Sequence, residues 1–324
     1  MRALFREMAI EVPRVVESDP EDIGRMCAVR GVELPHPIPY QGSKRLLAPR
    51  ILSYVAGRRF RRLYEPFAGS AAITIAAAHR RLAESYVIGD SLEPLAALWQ
   101  SIIAEPIEIA DRYERVWSGH VDGSIEHYNR VRDAFNRHHE PAHLLYLLAR
   151  CVKNAPRFNG DGGFNQSADK RRLGMQPRKM RREIVGASLL LRHRARAEAA
   201  DFGDTLRDAT DQDLVYMDPP YQGATTGPHK RYHQGMERGR LITALEDLNR
   251  RGVPWILSYD GRSGERRYGE YLPAHLDAER IEIDAGRSSQ ATLNGRDETT
   301  IESLYVSCSL LKTRRPTARD VAAR

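Results

Sequence analysis

The stretch "VYMDPPYQG", residues 215–223, joins an apolar, strand-like run to one carboxylate, two prolines and an aromatic ring. Asp-Pro is a common turn signal, so a surface turn is the simplest interpretation of the stretch taken alone. In parallel α/β sheets, however, ligands bind beyond the carboxyl ends of the strands. The stretch therefore predicts a candidate site at the edge of such a sheet, provided that the flanking sequence supplies the sheet.

The flanking sequence alternates between short β-rich segments and helical ones. Strand-like segments read RRLYEPF, SYVIGD, VPWILSYD, RIEIDA and TTIESLYVSCSLL, and helical segments read AAITIAAAHRRL, PLAALWQSII and RLITALEDLNRRG. Alternation of this kind predicts an α/β fold, with a mainly parallel sheet covered by helices on both faces. The arginine-rich "RHRARAEA" that begins at Arg192 is expected to form the solvent-exposed face of a helix.

The middle of the chain breaks this rhythm with a long helical block and a segment rich in glycine, asparagine and arginine. We interpret it as an insertion that carries binding specificity. The expected organisation is an N-terminal extension (1–36), a core domain (37–110 and 192–315), the insertion (111–191) and a C-terminal tail (316–324).

The charge of the chain favours an anionic partner. The 324 residues carry a formal net charge of +7, with a pI near 9.4, although ordinary solubility charge would give a similar excess. Residues 170–182, "KRRLGMQPRKMRR", contain seven Lys or Arg and no acid. This run predicts a surface that follows phosphates.

Cysteine usage and hydropathy exclude several classes of protein. Cys27, Cys151 and Cys308 are widely spaced, which fits neither a disulfide framework nor a zinc cage, and we expect no metal site. The longest aliphatic run falls far short of the ~20 residues that span a membrane. The first residues make a poor secretory signal. We therefore expect a cytoplasmic protein that does not bind membranes.

Three strand ends carry candidate functional residues. In "YEPFAGSAAIT", the small residues 68–71 form a tight turn that opens a helix and lets a ligand approach the backbone. Asp90 ends "SYVIGD" about twenty residues later, an offset that suits a contact to ribose hydroxyls. Each signal alone is weak, because the turn could be a plain connection and Asp90 a helix cap. Together with "DPPY" they predict one shared site.

The order of motifs resembles the Dam-like DNA adenine methyltransferases, the D12 class of alpha amino-methyltransferases with a DPPY motif. The resemblance covers residues 37–311 and rests on "PYQGSKRLLAPRI", "EPFAGSAA", "IGD", "RFNGDGGFN", "VYMDPPY" and "WILSYD". It implies a Rossmann-like sheet that uses S-adenosylmethionine, with a mainly helical DNA-recognition insertion. The implied activity is site-specific transfer of methyl from this cofactor to N6 of adenine in double-stranded DNA, within a restriction-modification system or a phage.

The resemblance also assigns roles at the candidate cleft. Asp218 and the carbonyl of Pro219 would accept hydrogen bonds from the adenine amine, and Tyr221 would stack on the extruded base. The implied catalytic residues are Asp218, Pro219, Pro220 and Tyr221. The implied cofactor-binding residues are Tyr40, Lys44, Glu65, Phe67, Gly69, Asp90 and Asp218. One departure is Ala71, which replaces the second glycine of the family's FxGxG loop and is expected to take a negative φ or a wider turn.

DNA recognition is expected in the insertion. The implied DNA-binding residues are Arg157, Asn159, Phe164 and Asn165, in a hairpin near the target base, and Lys170, Arg171 and Arg172 on phosphates. The polar loop before the last strand either lines the same cleft or is an ordinary loop. The expected partner is double-stranded DNA, bound by a monomer, with any cognate restriction endonuclease acting separately.

Other functions remain open at this point. A cytosine N4-methyltransferase uses the same chemistry but more often carries Ser-Pro-Pro-Tyr, and a glutamine methyltransferase more often carries Asn-Pro-Pro-Tyr. Methylation of RNA is a further alternative on the same scaffold. A non-catalytic DNA-binding protein would keep the basic insertion, but it would have no reason to keep the loop and "DPPY" together.

Overall fold

The computed structural model describes residues 34–119, 124–220, 237–263, 266–268, 270–287 and 299–311. Most of the expected N-terminal extension, Tyr221, the polar loop before the last strand and the C-terminal tail lie outside the described residues. His36, at the end of the expected extension, donates its backbone N–H to the Oε2 atom of Glu183, 2.9 Å away. Residues 34–36 therefore join the described fold.

Eight strands of the described chain form one mixed sheet. They are β1 (Phe60–Glu65), β2 (Ala83–Asp90), β3 (Ala195–Ala199), β4 (Leu214–Met217), β5 (Trp255–Ser263), β6 (Arg266–Tyr268), β7 (Ala278–Arg287) and β8 (Thr299–Ser307). The order is β3-β2-β1-β4-β5-β8-β7, and β6 pairs with β5. Strands β1 to β5 are parallel, whereas β8 runs antiparallel to both β5 and β7. The expected α/β fold with a mainly parallel sheet is confirmed.

Helices connect these strands. They are α1 (Ala48–Ser53), α2 (Ala72–His79), α3 (Glu93–Ala104), α4 (Pro106–Ser118), α5 (Ile125–His138), α6 (Pro141–Arg150), α7 (Pro177–Leu191), α8 (Phe202–Thr205), α9 (Arg238–Arg250) and α10 (Cys308–Leu311). Short 3₁₀ turns lie at Lys44–Leu46, Val152–Asn154 and Ala274–Leu276. None of the described helices is long and apolar enough to cross a membrane.

The sheet is buried on both faces, as parallel sheets are. Successive strand residues alternate between two apolar clusters, because side chains point to opposite faces with a period of two. Leu63 and Tyr86 belong to the cluster that contains α2 to α7. Tyr64 and Val87 belong to the second cluster, with α8 and α9. This double burial fixes the register of the central strands and therefore the positions at which they end.

Strand β3 corrects one expectation. The segment "RHRARAEA" was expected to be a helix face, but Ala195–Ala199 forms an edge strand that pairs in parallel with β2. Its alanines suit a helix, yet the unpaired edge of β2 offers a row of hydrogen bonds that outweighs propensity. Its charged side chains, the exposed Arg196 and the half-buried Glu198, are typical of strands that block further pairing at a sheet edge.

The expected insertion begins inside a helix rather than in a loop. Residue 111 falls within α4, whose buried Ile109 packs in the same cluster as Leu147 of α6 and Ile184 of α7. A boundary within a helix would divide one packed unit. We therefore propose that the insertion begins at Pro106 and ends with α7.

Candidate active site

A cleft lies at the carboxyl edge of the sheet. Strands β2, β1 and β4 are adjacent and parallel, so Glu65, Asp90 and Asp218 reach the same edge. All seven residues expected to bind a cofactor line the cleft, namely Tyr40, Lys44, Glu65, Phe67, Gly69, Asp90 and Asp218. Pro219 and Pro220 line it as well. The structure thus brings the expected residues together, with Tyr221 outside the described chain.

The small-residue loop after β1 is held in place from both sides. Gly69 donates its N–H to Asp90 Oδ2 at 3.1 Å and accepts a hydrogen bond from Trp99 Nε1 at 3.0 Å. Its φ of 48° is one that glycine adopts readily. The ring of Tyr40 would lie 3.5 Å from a Cβ atom added at this position. The loop therefore has a fixed backbone on the floor of the cleft.

Ala71 adopts a left-handed backbone conformation, which glycine takes more readily. Its φ is 46°, so the expectation of a negative φ is wrong. A left-handed alanine is destabilised by roughly 1–2 kcal/mol relative to the usual helical region. Ala71 nevertheless caps α2, accepting the N–H of Ile75 at 2.9 Å, and its side chain is buried in the core. The loop keeps its tight shape without the second glycine.

Asp90 connects the loop to the next helix. Besides Gly69, its carboxylate accepts the N–H of Leu92 at 3.0 Å, just before α3 begins. Burial raises the pKa of Asp90, and the two backbone N–H groups oppose that shift. Asp90 thus ends β2, holds the turn that leads into α3 and also lines the cleft.

Glu65 is oriented by a helix N-terminus. Its carboxylate is buried and accepts the N–H of Thr74 at 2.7 Å and of Ile73 at 3.4 Å, in the first turn of α2. Burial raises its pKa to about 7, while the hydrogen bonds from Thr74 and Ile73 lower it. The side chain fixes the angle between β1 and α2 and thereby supports the loop.

Lys44 is a buried cation between two carboxylates. Its Nζ atom lies 3.0 Å from Asp218 Oδ2, 3.4 Å from Glu302 Oε2 and 3.3 Å from the carbonyl oxygen of Gly42. The side chain is 5% exposed, although the residue begins a 3₁₀ turn. Burial raises the pKa of Asp218 to about 6, with Lys44 lowering it and Glu302 raising it. Sequence reasoning missed Glu302, which reaches the site from the antiparallel strand β8.

An aromatic wall closes another part of the cleft. Phe67 stacks on Phe202 with ring centroids 5.2 Å apart, and the guanidinium of Arg240 lies 5.1 Å from the Phe202 centroid. Arg240 also donates to Asp201 Oδ1 at 2.7 Å. Asp201, Phe202 and Arg240 line the cleft but were not expected. Asp201 follows β3 as Asp218 follows β4, a signal hidden by reading β3 as a helix.

The "RFNGDGGFN" segment forms the expected hairpin. Asn159 and Gly163 pair through a 2.8 Å backbone bond, and Asn165 donates to the carbonyl of Arg157 at 2.9 Å. Phe164 is 1% exposed and packs edge-on against other aromatic rings in the core. Its ring anchors the hairpin from below, so the expected DNA contact by Phe164 does not fit the structure.

Asn136 of α5 fixes the hairpin, a role that sequence reasoning missed. Its side-chain amide accepts the N–H of Phe164 at 2.8 Å and donates to the Phe164 carbonyl at 3.0 Å. In the hairpin itself, the side-chain oxygen of Asn159 accepts two N–H groups of its own loop. Arg157 Nε and Asn165 Oδ1 are buried without a hydrogen-bond partner among the described residues.

The basic run is less uniform than its sequence indicates. Lys170, Arg171 and Arg172 are exposed, but Arg172 donates to Asp169 at 2.8 Å. Arg181, on α7, pairs with two acids of α4. A groove that shares Tyr40 and Ser43 with the cleft is also lined by basic residues, namely Arg45, Arg172 and Lys179. Positive charge thus borders the cleft mainly along this groove and the loop at 170–172.

No group of three or more His, Cys, Asp or Glu residues in the described ranges is arranged to hold a metal ion. Burial raises the pKa of the Cys151 thiol to about 12, so this cysteine lies in the core as a neutral thiol.

Comparison with known proteins identifies relatives along most of the chain. Residues 40–289 match the family described as D12 class N6 adenine-specific DNA methyltransferase. The retron Ec67 DNA adenine methylase of Escherichia coli is 30% identical over 239 residues, which cover 71% of this chain and 80% of that protein. The DNA N-6-adenine-methyltransferase of Escherichia phage P1 is 25% identical over 211 residues, covering 62% and 27%. A type II methyltransferase of Lactococcus lactis subsp. cremoris is 23% identical over 285 residues, covering 82% and 94%.

Proposed function

The chain belongs to the D12 class of N6 adenine-specific DNA methyltransferases, and on this premise we propose that it methylates adenine at a specific site in double-stranded DNA, with S-adenosylmethionine as donor. The observation that carries the proposal is the ion pair of Lys44 with Asp218. The carboxylate of Asp218, at the end of β4, lines the same cleft as the loop that contains Gly69. The adenine specificity of the family decides against the cytosine and glutamine alternatives.

The cleft fits an adenosyl sulfonium ligand. Stacked Phe67 and Phe202 offer an apolar surface for a planar base, and Asp90 offers carboxylate oxygens at the adjacent strand end. The contact between Lys44, Asp218 and Glu302 brings two carboxylates to one ammonium group. Bound S-adenosylmethionine supplies a methyl group on a positively charged sulfur, ready for attack by an amine lone pair.

The protein's own contribution is to orient that amine. We propose that the carboxylate of Asp218 and the carbonyl of Pro219 accept its two N–H groups and so direct its lone pair toward the methyl group. Proline fixes φ, so the two acceptors need little reordering when substrate binds. When the N–C bond forms, the amine loses one proton, and ionised Asp218 is placed to accept it. Tyr221 is proposed to stack on the extruded base, which offsets part of the few kcal/mol that flipping requires.

Long-read sequencing of DNA from cells that express the protein tests the proposal. We expect N6-methyladenine at one short motif, present with the wild-type protein and absent with the Asp218→Ala variant. Methylcytosine at a motif, or no modification despite DNA binding, would overturn it. The second of these results would favour the non-catalytic DNA-binding alternative.

The pH dependence of the reaction provides a prediction that concerns Asp218 alone. Asp218 must be ionised to take up the proton that the amine loses, and burial raises the pKa of Asp218 to about 6. The rate of the chemical step should therefore be level above that pH and should fall about tenfold per unit below it. Single-turnover methylation between pH 5 and 8 measures this limb. A rate that stays constant down to pH 5 would show that the ionised Asp218 is not required.

We further propose that the loop at 170–172 grips the DNA backbone. Arginine and lysine on phosphates position a duplex without reading its sequence. The Gln41 N–H donates to the Asn154 carbonyl at 2.8 Å, which ties the insertion to the "YQGSK" loop beside the cleft. DNA bound at the insertion would thus lie next to the carboxylate of Asp218. Action as a monomer in the cytoplasm, with any cognate endonuclease separate, completes the proposal.

Neutralising the loop should change the salt dependence of DNA binding. Replacing Lys170, Arg171 and Arg172 by glutamine is expected to lower the slope of log affinity against log salt by about two, since each phosphate contact releases roughly one counterion. The value is two rather than three because Arg172 is paired with Asp169. Filter binding over a salt series measures the slope, and Arg250→Gln on α9 is the matched control. An unchanged slope would remove this loop from the phosphate contacts.

Substitutions in the hairpin should act on sequence preference instead. Arg157→Ala is expected to reduce methylation at the correct site more than binding to random duplexes, because a base-edge contact contributes ~1–3 kcal/mol of discrimination. Arg157 precedes Phe158, which lines the cleft, so the hairpin lies next to the proposed site of the target base. Methylation of matched and mismatched duplexes is measured for this variant and for the loop variant. The comparison separates sequence recognition from phosphate binding. A change of site preference in the loop variant alone would reverse the two roles.

A further inference from the structure

Glu302 adds a negative charge that the amine-orienting chemistry does not require. Asp218 already has its counter-ion, with Lys44 Nζ at 3.0 Å. A second carboxylate, from β8, lies 3.4 Å from the same ammonium. Glu302 is only 20% exposed, and it lies beyond residue 289, where the family match ends. The cluster of Lys44, Asp218 and Glu302 therefore holds two carboxylates against one ammonium in a largely buried site.

We infer that Glu302 is a positioning residue that makes this cluster selective for a positively charged ligand over its neutral product. The inference rests on the proposed function and deepens it. A buried net charge is unfavourable, and the three described side chains of the cluster carry one negative charge in excess. A cationic sulfonium in the cleft would supply the missing positive charge. Loss of the methyl group converts the sulfonium into a neutral thioether, so the favourable interaction ends when the reaction does.

The direction of the effect follows from Coulomb's law. At the effective dielectric near a protein surface, unit charges several ångströms apart interact strongly enough to change affinity about tenfold or more. The interaction with a neutral thioether is far smaller. The cluster should therefore retain the donor and release the spent cofactor, because it distinguishes the two ligands by charge.

Calorimetry on the Glu302→Gln variant tests the inference. Glutamine keeps the shape and one oxygen acceptor but removes the charge. The probes are S-adenosylmethionine, the neutral S-adenosylhomocysteine and sinefungin, an analogue with a positively charged amine. We expect the two cationic ligands to bind about tenfold more weakly than to the wild type, and the neutral ligand to change by less than about threefold. The matched control is Glu282→Gln, on the neighbouring strand β7, where the carboxylate pairs with the exposed Arg262 and the half-buried Arg280.

The outcomes separate a charge effect from a merely structural one. Equal weakening of all three ligands would overturn the inference and leave Glu302 as a packing residue, as would three unchanged affinities. If the wild-type protein bound none of the three, the proposed function itself would fail, which is a different result. A selective loss of the cationic ligands in Glu282→Gln as well would assign the effect to general surface charge and would also overturn the inference.

The fall of the methylation rate at low pH gives a second measurement. Asp218 faces Lys44 from the "YQGSK" loop, Glu65 from β1, Tyr216 from its own strand and Glu302 from β8. Removing the Glu302 charge takes away a group that opposes ionisation of Asp218. The pH below which the methylation rate falls should therefore be lower in Glu302→Gln than in the wild type. The same pH dependence of the rate in the variant and the wild type would contradict the proposed electrostatic contact.

Discussion

Methyl transfer by Asp218→Ala is expected to be at least a hundredfold slower than by the wild-type protein, with cofactor affinity within about tenfold. The main partner proposed for this carboxylate is the amine that reacts, so its loss acts on the transition state more than on binding. Losing one preorganised hydrogen-bond partner of this kind slows catalysis by roughly 10²–10³. Lys44 keeps Glu302 and the Gly42 carbonyl as neighbours, so the cation should remain in the cleft.

Two companion variants make the result specific. Asp218→Asn keeps an oxygen acceptor without the charge and should lie between alanine and the wild type. Asp208→Ala removes an exposed carboxylate elsewhere and should leave both rate and affinity unchanged. Single-turnover transfer of labelled methyl gives the rate, and calorimetry gives the affinity. A rate above a tenth of wild type in Asp218→Ala would show that another group orients the amine.

The sequence predicted the central sheet because the parallel strands are buried on both faces and read as short apolar runs between turn signals. It did not predict β3, whose alanines and charges carry no apolar signal and which is a strand because β2 offers it an edge. That one error also concealed Asp201 and Phe202, because a residue is recognised at a strand end only when the strand is recognised.

The site was predictable where motif residues end or directly follow a strand, as Glu65, Asp90 and Asp218 do. It was not predictable where contacts come from distant segments. Glu302 lies 84 positions after Asp218 and reaches Lys44 only because β8 inserts antiparallel between β5 and β7. Phe164 sits in a motif associated with DNA, yet its burial depends on aromatic rings of the surrounding insertion.

Replacing Asp90 by alanine is expected to weaken cofactor binding about a hundredfold, because the carboxylate has two functions. It is proposed to hold ribose hydroxyls, and a charge-assisted hydrogen bond contributes ~1.5–3 kcal/mol. It also accepts the N–H of Gly69 and of Leu92, so its removal leaves both donors without this partner and frees the loop on the cleft floor. Calorimetry with S-adenosylmethionine measures the affinity, and urea unfolding measures the accompanying loss of stability.

Trp99→Phe separates these two functions. It removes the hydrogen bond to the Gly69 carbonyl but leaves the Asp90 carboxylate intact, so it loosens the loop without touching the proposed ribose contact. If Asp90 contacts the ligand directly, Trp99→Phe should weaken binding only a fewfold, and Asp90→Ala should weaken it far more at a comparable loss of stability. Equal weakening in the two variants would mean that Asp90 acts through the loop alone. Unchanged affinity in Asp90→Ala would remove this carboxylate from the cofactor site.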